Sequence, residues 1–320
     1  VLGGAEARLL DITTGNVEKT FSPLGIVASA SFSTDGQWLV TASWDRTARI
    51  WDAETGTDIR KLSGPDGHQG DVRSAVFSPD PDSRYVLTAG EDGRVIVWER
   101  ESGQIRMVIA GHNGEATGAS FSTDGRLILT SSADGTARVW DASGLWAEGA
   151  AKSVEATQKM ILNGHRASVL SATFSTDSSS IVTTSEDGTA IVWDATSGNQ
   201  LYTLTGHTAA VTAAAFSPAG DRVVTASNDG TVKIWDARRA TVDPEQVAAA
   251  DGDAGEKTDS GRKEILTLAG HSREVTSVAF SPGDGRYILT ASVDGKAILW
   301  LTMDWELPAK EATGVAAAVE

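Results

Sequence analysis

GHTAAVTAAAFSPAGDRVVTASNDGTVKIWD, residues 206–236, decides the fold because it does not stand alone. Read in isolation it invites a chemical interpretation, since His207, Ser227 and Asp229 are the ingredients of a hydrolase triad. One such group in one cleft serves catalysis, whereas the same group at regular intervals serves architecture. The stretch recurs as GHSREVTSVAFSPGDGRYILTASVDGKAILW (270–300), GHRASVLSATFSTDSSSIVTTSEDGTAIVWD (164–194) and GHNGEATGASFSTDGRLILTSSADGTARVWD (111–141). It recurs again as GHQGDVRSAVFSPDPDSRYVLTAGEDGRVIVWE (67–99) and, without the opening GH, as SPLGIVASASFSTDGQWLVTASWDRTARIWD (22–52). The closing tryptophans, Trp51, Trp98, Trp140, Trp193, Trp235 and Trp300, are 47, 42, 53, 42 and 65 residues apart.

Within a copy the local physics is that of short strands. VTAAAF and RVVTAS are β-prone runs separated by the turn residues of SPAGD, and TVKIW alternates apolar with polar as a half-buried strand does. Turns such as DATSG (194–198), DAETG (52–56) and ERESG (99–103) then lead to an outer strand such as NQLYTL. No segment keeps a helical period. Repeats of about 40–45 residues that carry GH and WD are those of a four-stranded propeller blade. On these motifs the chain resembles the WD-repeat β-propeller family over nearly its whole length, as a single domain spanning 1–320.

Blade number is a separate expectation. ARLLDITTGNVEKTF (7–21) matches ARIWDAETGTDIRKL (48–62), so it reads as the third and fourth strands of a further blade, with VLGG (1–4) as a stub of its second strand. LTMDWEL (301–307) reads as the outer strand of the last copy, and EATGVAAAV (311–319) resembles the inner strand EATGASFS (115–122). The expectation is a seven-bladed propeller of four-stranded antiparallel blades, closed by N- and C-terminal strands that share a blade. Such sharing satisfies sheet edges. The competing reading treats 311–320 as a frayed tail and the start as a cut through a longer array.

The triad question is answered by counting. Equivalent groups are His112, Ser132, Asp134, Trp140; His165, Ser185, Asp187, Trp193; His207, Ser227, Asp229, Trp235; and His271, Ser292, Asp294, Trp300. A fifth copy has His68, Asp92 and Trp98, with Gly90 at the serine position. The resemblance implies a structural tetrad in each blade, in which carboxylate, imidazole, hydroxyl and indole are hydrogen-bonded in series. All five histidines of the chain belong to these groups and there is no cysteine. The usual nucleophiles, bases and transition-metal ligands are therefore spent or missing, and no enzyme, metal site or cofactor is expected. DGDAGEKTDSGR (251–262) departs from a calcium loop at its glycine and closing glutamate positions and reads as a solvated acidic loop.

Charge bounds the partner. Acids outnumber bases 43 to 27, giving −16 at pH 7, which disfavours nucleic acid and anionic membrane and favours a basic or neutral protein. No membrane span or signal segment is evident, and a cytoplasmic setting is expected. Val1 opens the chain in place of a methionine, as in a processed product or a piece of a longer protein. Either a monomeric propeller or part of a larger chain fits.

The resemblance further implies that partners are recognised on one face, formed by the loops before the inner strands and the turns between second and third strands. Trp44, Asp71, Glu91, Glu115, Arg166, Glu186, Asn228 and Glu274 are the residues of this sequence that fall there. Trp44 stands where other copies are mostly polar, in the copy whose GH is replaced by Ser22 and Pro23. It is either a binding anchor or a cover for the gap left by the missing histidine. The insertions 142–157, which carries Trp146 and has room for a short helix, and 237–263 lie between third and fourth strands, on the opposite face, and read as loops inessential to the ring. Two functional classes follow. One is an interaction scaffold that binds a basic or extended segment on the top face. The other is a sensor or autoinhibitory module of a larger bacterial signalling protein, whose kinase, signalling NTPase or caspase-like protease domain lies outside this chain.

Overall fold

The computed structural model describes residues 6–11, 14–147, 154–238, 264–302 and 317–319. Each copy of the repeat folds as expected into three antiparallel strands, and a fourth strand completes the sheet. Blade 1 is β3–β6 (Val27–Phe32, Trp38–Ser43, Ala48–Asp52, Asp58–Leu62). Blade 2 is β7–β10 (Val72–Phe77, Tyr85–Gly90, Arg94–Glu99, Ile105–Ala110). Blade 3 is β11–β13 and β15 (Ala116–Phe121, Leu127–Ser132, Thr136–Asp141, Thr157–Asn163). Blade 4 is β16–β19 (Val169–Phe174, Ser180–Ser185, Ala190–Asp194, Gln200–Leu204). Blade 5 is β20–β23 (Val211–Phe216, Arg222–Ser227, Thr231–Asp236, Glu264–Ala269). Blade 6 is β24–β27 (Val275–Phe280, Tyr287–Ser292, Ala297–Leu301, Ala317–Val319).

The propeller therefore has six blades among the described residues, and the expected seven-bladed ring is corrected on two counts. First, β1 (Ala7–Leu10) and β2 (Val17–Phe21) do pair as a third and fourth strand would, but they form a two-stranded sheet of their own. Their register, Ala7 opposite Phe21 with a slip at Leu9/Leu10, copies that of β5 on β6, Ala48 opposite Leu62 with a slip at Ile50/Trp51. Second, the C-terminal strand does not join them. β27 lies antiparallel on β26, with Ala317 opposite Leu299, and takes the fourth-strand place in blade 6. An alanine-rich run carries too little pattern to choose its neighbour, and the edge of β26, adjacent in sequence, is the nearer one to cover. Residues 1–4, 303–307 and 311–316, which also entered the expectation, lie outside the described residues.

Apolar alternation becomes inter-blade packing. Val40, Ala42, Ile50 and Leu62 of blade 1 meet Val72, Ala75, Val86 and Trp98 of blade 2 in one buried cluster. Equivalent clusters join blades 2 and 3, 3 and 4, 4 and 5, and 5 and 6. The sheet β1–β2 packs on blade 1 through Ala7 and Phe21 against Leu39 and Trp51. Turn chemistry fixes the register. Between second and third strands Gly93, Gly135, Gly188, Gly230 and Gly295 sit at φ of 74, 83, 83, 82 and 84°, where a Cβ is disfavoured. Blade 1 alone places a side chain there, Arg46 at φ 69°.

The first insertion carries the short helix its sequence allows, and a strand besides. A short 3-10 helix, Ser143–Trp146, buries Leu145, and β14 (Val154–Glu155) adds a parallel fifth strand to β10 of blade 2. Of the second insertion, only residues 237 and 238 are among the described residues.

Candidate functional site

The five histidines come first, because their geometry decides whether these residues do chemistry or joinery. In blade 5 His207 Nδ1 lies 2.8 Å from Asp229 Oδ2, His207 Nε2 lies 2.8 Å from Thr225 Oγ1, and Trp235 Nε1 donates to the same oxygen at 2.9 Å. The chain repeats as His112, Asp134, Thr130, Trp140 and as His165, Asp187, Thr183, Trp193. It repeats again as His271, Asp294, Thr290, Trp300 and as His68, Asp92, Thr88, Trp98. A neutral imidazole fits every partner: Nδ1–H donates to the carboxylate and Nε2 accepts from the threonine hydroxyl.

The hydroxyl is a correction. Sequence reading places Ser132, Ser185, Ser227 and Ser292 in the tetrads, and the structure places the threonine two residues earlier there instead. The threonine is the diagonal neighbour of the tryptophan on one face of the second and third strands, as Thr225 is to Trp235. The serine lies two residues, about 6.6 Å, further along, past the last ladder pair. There each serine Oγ accepts the N–H of the turn aspartate at 3.1 Å, and in blades 4, 5 and 6 it donates to a carbonyl of the preceding loop. Gly90 therefore does not break the fifth group, because Thr88 supplies the hydroxyl.

Electrostatics agrees with a structural role. Burial pushes the imidazoles of His112, His165 and His207 below the usual histidine value, against the upward pull of their aspartates. For Asp229 burial alone acts upward, but hydrogen bonds from the Thr231 hydroxyl, the Thr208 N–H and His207 outweigh it and bring the carboxyl down to about 2. Asp294 likewise lies at about 2, held against burial by the Ser272 and Lys296 N–H groups and His271. A neutral imidazole sealed between a fixed carboxylate and a fully buried threonine has no free nitrogen to offer a substrate. Among the described residues no group of three or more His, Cys, Asp or Glu is placed to hold a metal ion, and no helix is long and apolar enough to cross a membrane.

The residues expected at the binding face do fall at one end of the blades, and a repeated backbone bond puts them there. The N–H of the residue before each turn aspartate donates to the carbonyl at the entry to the first strand. These bonds are Trp44 to Ile26, Glu91 to Asp71, Ala133 to Glu115, Glu186 to Ser168, Asn228 to Ala210 and Val293 to Glu274. The side chains on this rim are not equally available. Ser168 Oγ donates to Glu186 at 2.9 Å, Arg166 N–H donates to Asp187, and the Asp71 N–H approaches Glu91 Oε2 at 3.3 Å. Asn228 and Glu274 line a shallow polar pocket with His271 and Arg273, in which Arg273 approaches Glu274 at 3.5 Å.

Trp44, Glu91 and Glu115, contributed by blades 1, 2 and 3, converge on a residue the sequence reading passed over, Arg73. Its guanidinium lies 5.4 Å from the Trp44 ring centroid, 3.4 Å from Glu115 Oε2 and 3.8 Å from Glu91 Oε1. Trp44 remains 43% exposed. It leans toward Arg73 of blade 2. The Asp45 carboxylate of blade 1 keeps the Thr47 hydroxyl at 2.6 Å, as Asp229 keeps that of Thr231. Aligning the copies would have revealed Arg73, since Ala28, Thr117, Leu170, Thr212 and Thr276 hold its place elsewhere and none is charged.

Trp146, on the opposite face, is a packing residue. Its indole N–H donates to Gly125 O at 2.9 Å, its ring meets Tyr85 edge-on, Arg84 stacks over it, and Tyr85 Oη donates to Leu145 O. The first insertion is thus built into the core between blades 2 and 3, contrary to its reading as an inessential loop.

Comparison with known proteins matches this geometry blade by blade. The chain is 27% identical over 200 residues to periodic tryptophan protein 2 of Arabidopsis thaliana, covering 62% of this chain and 21% of that protein. It is 28% identical over 217 residues to the guanine nucleotide-binding protein subunit beta of Nicotiana tabacum, covering 63% and 54%. It is 30% identical over 131 residues to human apoptotic protease-activating factor 1, covering 38% and 10%. The chain thus spans between about a tenth and about half of the length of these relatives. The family described as "WD domain, G-beta repeat" matches at 15–52, 56–99, 103–141, 156–194, 198–236 and 262–300. Each match runs from the fourth strand of one sheet to the third strand of the next, ending on the tryptophan or one residue past it. With six such repeats the chain belongs to the WD-repeat family.

Proposed function

We propose that this propeller is a protein-interaction scaffold that holds a basic, extended segment of a partner across its top face. The observation that supports this best is the half-exposed Trp44 beside Glu91 and Glu115 at the corner where blades 1, 2 and 3 meet. An exposed indole supplies buried area on docking, and the neighbouring carboxylates, in a chain of net charge −16, attract cations. The histidines, by contrast, are committed to the blades.

The test is capture of partners from the native lysate, followed by association and dissociation kinetics at low and high salt. Trp44→Ala is expected to speed dissociation. Reversing Glu91 and Glu186 to lysine is expected to slow association and flatten its salt dependence. A partner that binds the triple variant Trp44→Ala, Glu91→Lys, Glu186→Lys as well as the parent protein would move the site off this face.

The second reading, a sensor or autoinhibitory module of a larger signalling protein, draws on the match to a tenth of apoptotic protease-activating factor 1. It is compatible with the same face, whose occupant would then be another domain of one polypeptide. The coding sequence on either side of these residues separates the two readings.

A further inference from the structure

Arg73 occupies a place that every blade builds in the same way. It lies at the irregularity of β7 between Val72 and Ser74, where the ladder slips by one residue. The same slip occurs in all the first strands, at Ala28, Thr117, Leu170, Thr212 and Thr276. Two of these residues show what the place is for. Thr117 Oγ1 donates to Val169 O of blade 4 at 2.7 Å, and Thr212 Oγ1 donates to Val275 O of blade 6 at 2.6 Å. A hydroxyl at the slip ties one blade to the opening residue of the next. Blade 2 puts a guanidinium there, and that guanidinium goes to Trp44, Glu91 and Glu115.

We propose that Arg73 is an internal ligand, filling with its own guanidinium a cation site that takes an arginine side chain of the partner. This rests on the reading of the top face given above. The site is defined by the cation already in it. An indole face and two carboxylates from three different blades surround a planar guanidinium, a shape that a compact ammonium does not match. Arg73 is held loosely: its ion-pair distances of 3.4 and 3.8 Å exceed those of a well-formed charged pair, about 2.8 Å, and its side chain is 30% exposed. Its displacement therefore breaks contacts of small net worth. An incoming arginine competes with Arg73 for Trp44, and the apparent affinity is reduced by the fraction of time the site is vacant.

The experiment uses Arg73→Thr, which removes the internal cation and offers a hydroxyl where Thr117 and Thr212 have one, facing the Ala116 carbonyl. Arg73→Met keeps an unbranched stem without the charge and serves if the threonine variant misfolds. The probes are labelled oligo-arginine and oligo-lysine peptides, titrated into the full chain with its fold checked by thermal melting. Arg73→Thr is expected to bind oligo-arginine about tenfold more tightly than the parent, as for a site vacant about a tenth of the time, with a smaller gain for oligo-lysine. Adding Trp44→Ala is expected to cancel the gain. Unchanged or weaker binding by both Arg73 variants would overturn the internal-ligand role and leave the face as a docking site. If neither the parent nor the variants bind oligo-arginine, the basic-segment reading falls and this inference falls with it.

Discussion

Blades 1 and 5 are built from the same pattern and differ at one corner. In blade 5, four side chains run unbroken from Asp229 through His207 and Thr225 to Trp235, and the turn carries Gly230 at φ 82°. In blade 1 only the inner half of that chain survives. Trp51 Nε1 still donates to Thr41 Oγ1 at 2.9 Å, and Asp45 keeps the Thr47 hydroxyl at 2.6 Å just as Asp229 keeps that of Thr231, but Asp45 has no imidazole opposite and lies 4.0 Å from Arg49. The turn keeps its shape with Arg46 forced to φ 69°. The indole–threonine bond belongs to two adjacent strands and forms wherever they pair. The imidazole–carboxylate bond belongs to the loop, and blade 1, which lacks it, still holds Trp44 at the same corner through the Trp44 N–H bond to Ile26 O.

Breaking the full chain should have the largest effect. His207→Ala leaves Asp229 and Thr225 with buried unmet hydrogen bonds and is expected to lower the unfolding free energy by about 2–4 kcal/mol. Asp45→Ala in blade 1 is expected to cost only about 1 kcal/mol, because no imidazole depends on it. Denaturant melts of the two variants measure the contrast, and equal losses would mean that blade 5 gains nothing from its histidine.

Acid should expose the same difference without mutation. The unfolded chain protonates its imidazoles near 6.5, whereas His112, His165 and His207 resist protonation in the fold. Below about pH 6.5 the unfolded state therefore binds more protons, and stability present at neutral pH is lost as pH falls. A second loss is expected below the ordinary carboxylate value of 3.8, as Asp229 and Asp294 are driven toward protonation at about 2. Unfolding midpoints across pH follow both steps, and His207→Ala should make the first step shallower. A midpoint that stayed flat from pH 7 to 5 would show that the imidazoles are not buried neutral.

Exchanging turn residues between the two blades sharpens the comparison at smaller magnitude. Arg46→Gly is expected to stabilise the protein by about 1 kcal/mol, and Gly230→Ala to destabilise it by about as much, because only glycine adopts a left-handed turn without strain. Trp44→Ala should move stability by no more than about 0.5 kcal/mol, since the ring is 43% exposed, while changing binding on the top face. A large stability loss from Trp44→Ala would mark it as a structural cover.

Much of this was legible from residues alone. Apolar alternation in VTAAAF and TVKIW, turn chemistry in SPAGD and NDG, and recurrence of the closing tryptophan specify a four-stranded unit because all are short-range constraints. The aspartate, histidine and tryptophan of each tetrad could be identified for the same reason, since a repeat displays every structural residue five times. The hydroxyl was misplaced because Thr225 and Ser227 lie on one face of one strand, and only the register against Trp235 says which is within reach. Tertiary structure also decided what depends on partners distant in the chain: that β27 covers β26 rather than β1, and that Trp146 plugs a seam. It likewise decided that Trp44, Arg73, Glu91 and Glu115 meet at all. Blade number and the binding corner are set by which sheet edges and side chains of different blades come together, and a pattern that repeats identically along the chain carries no record of that choice.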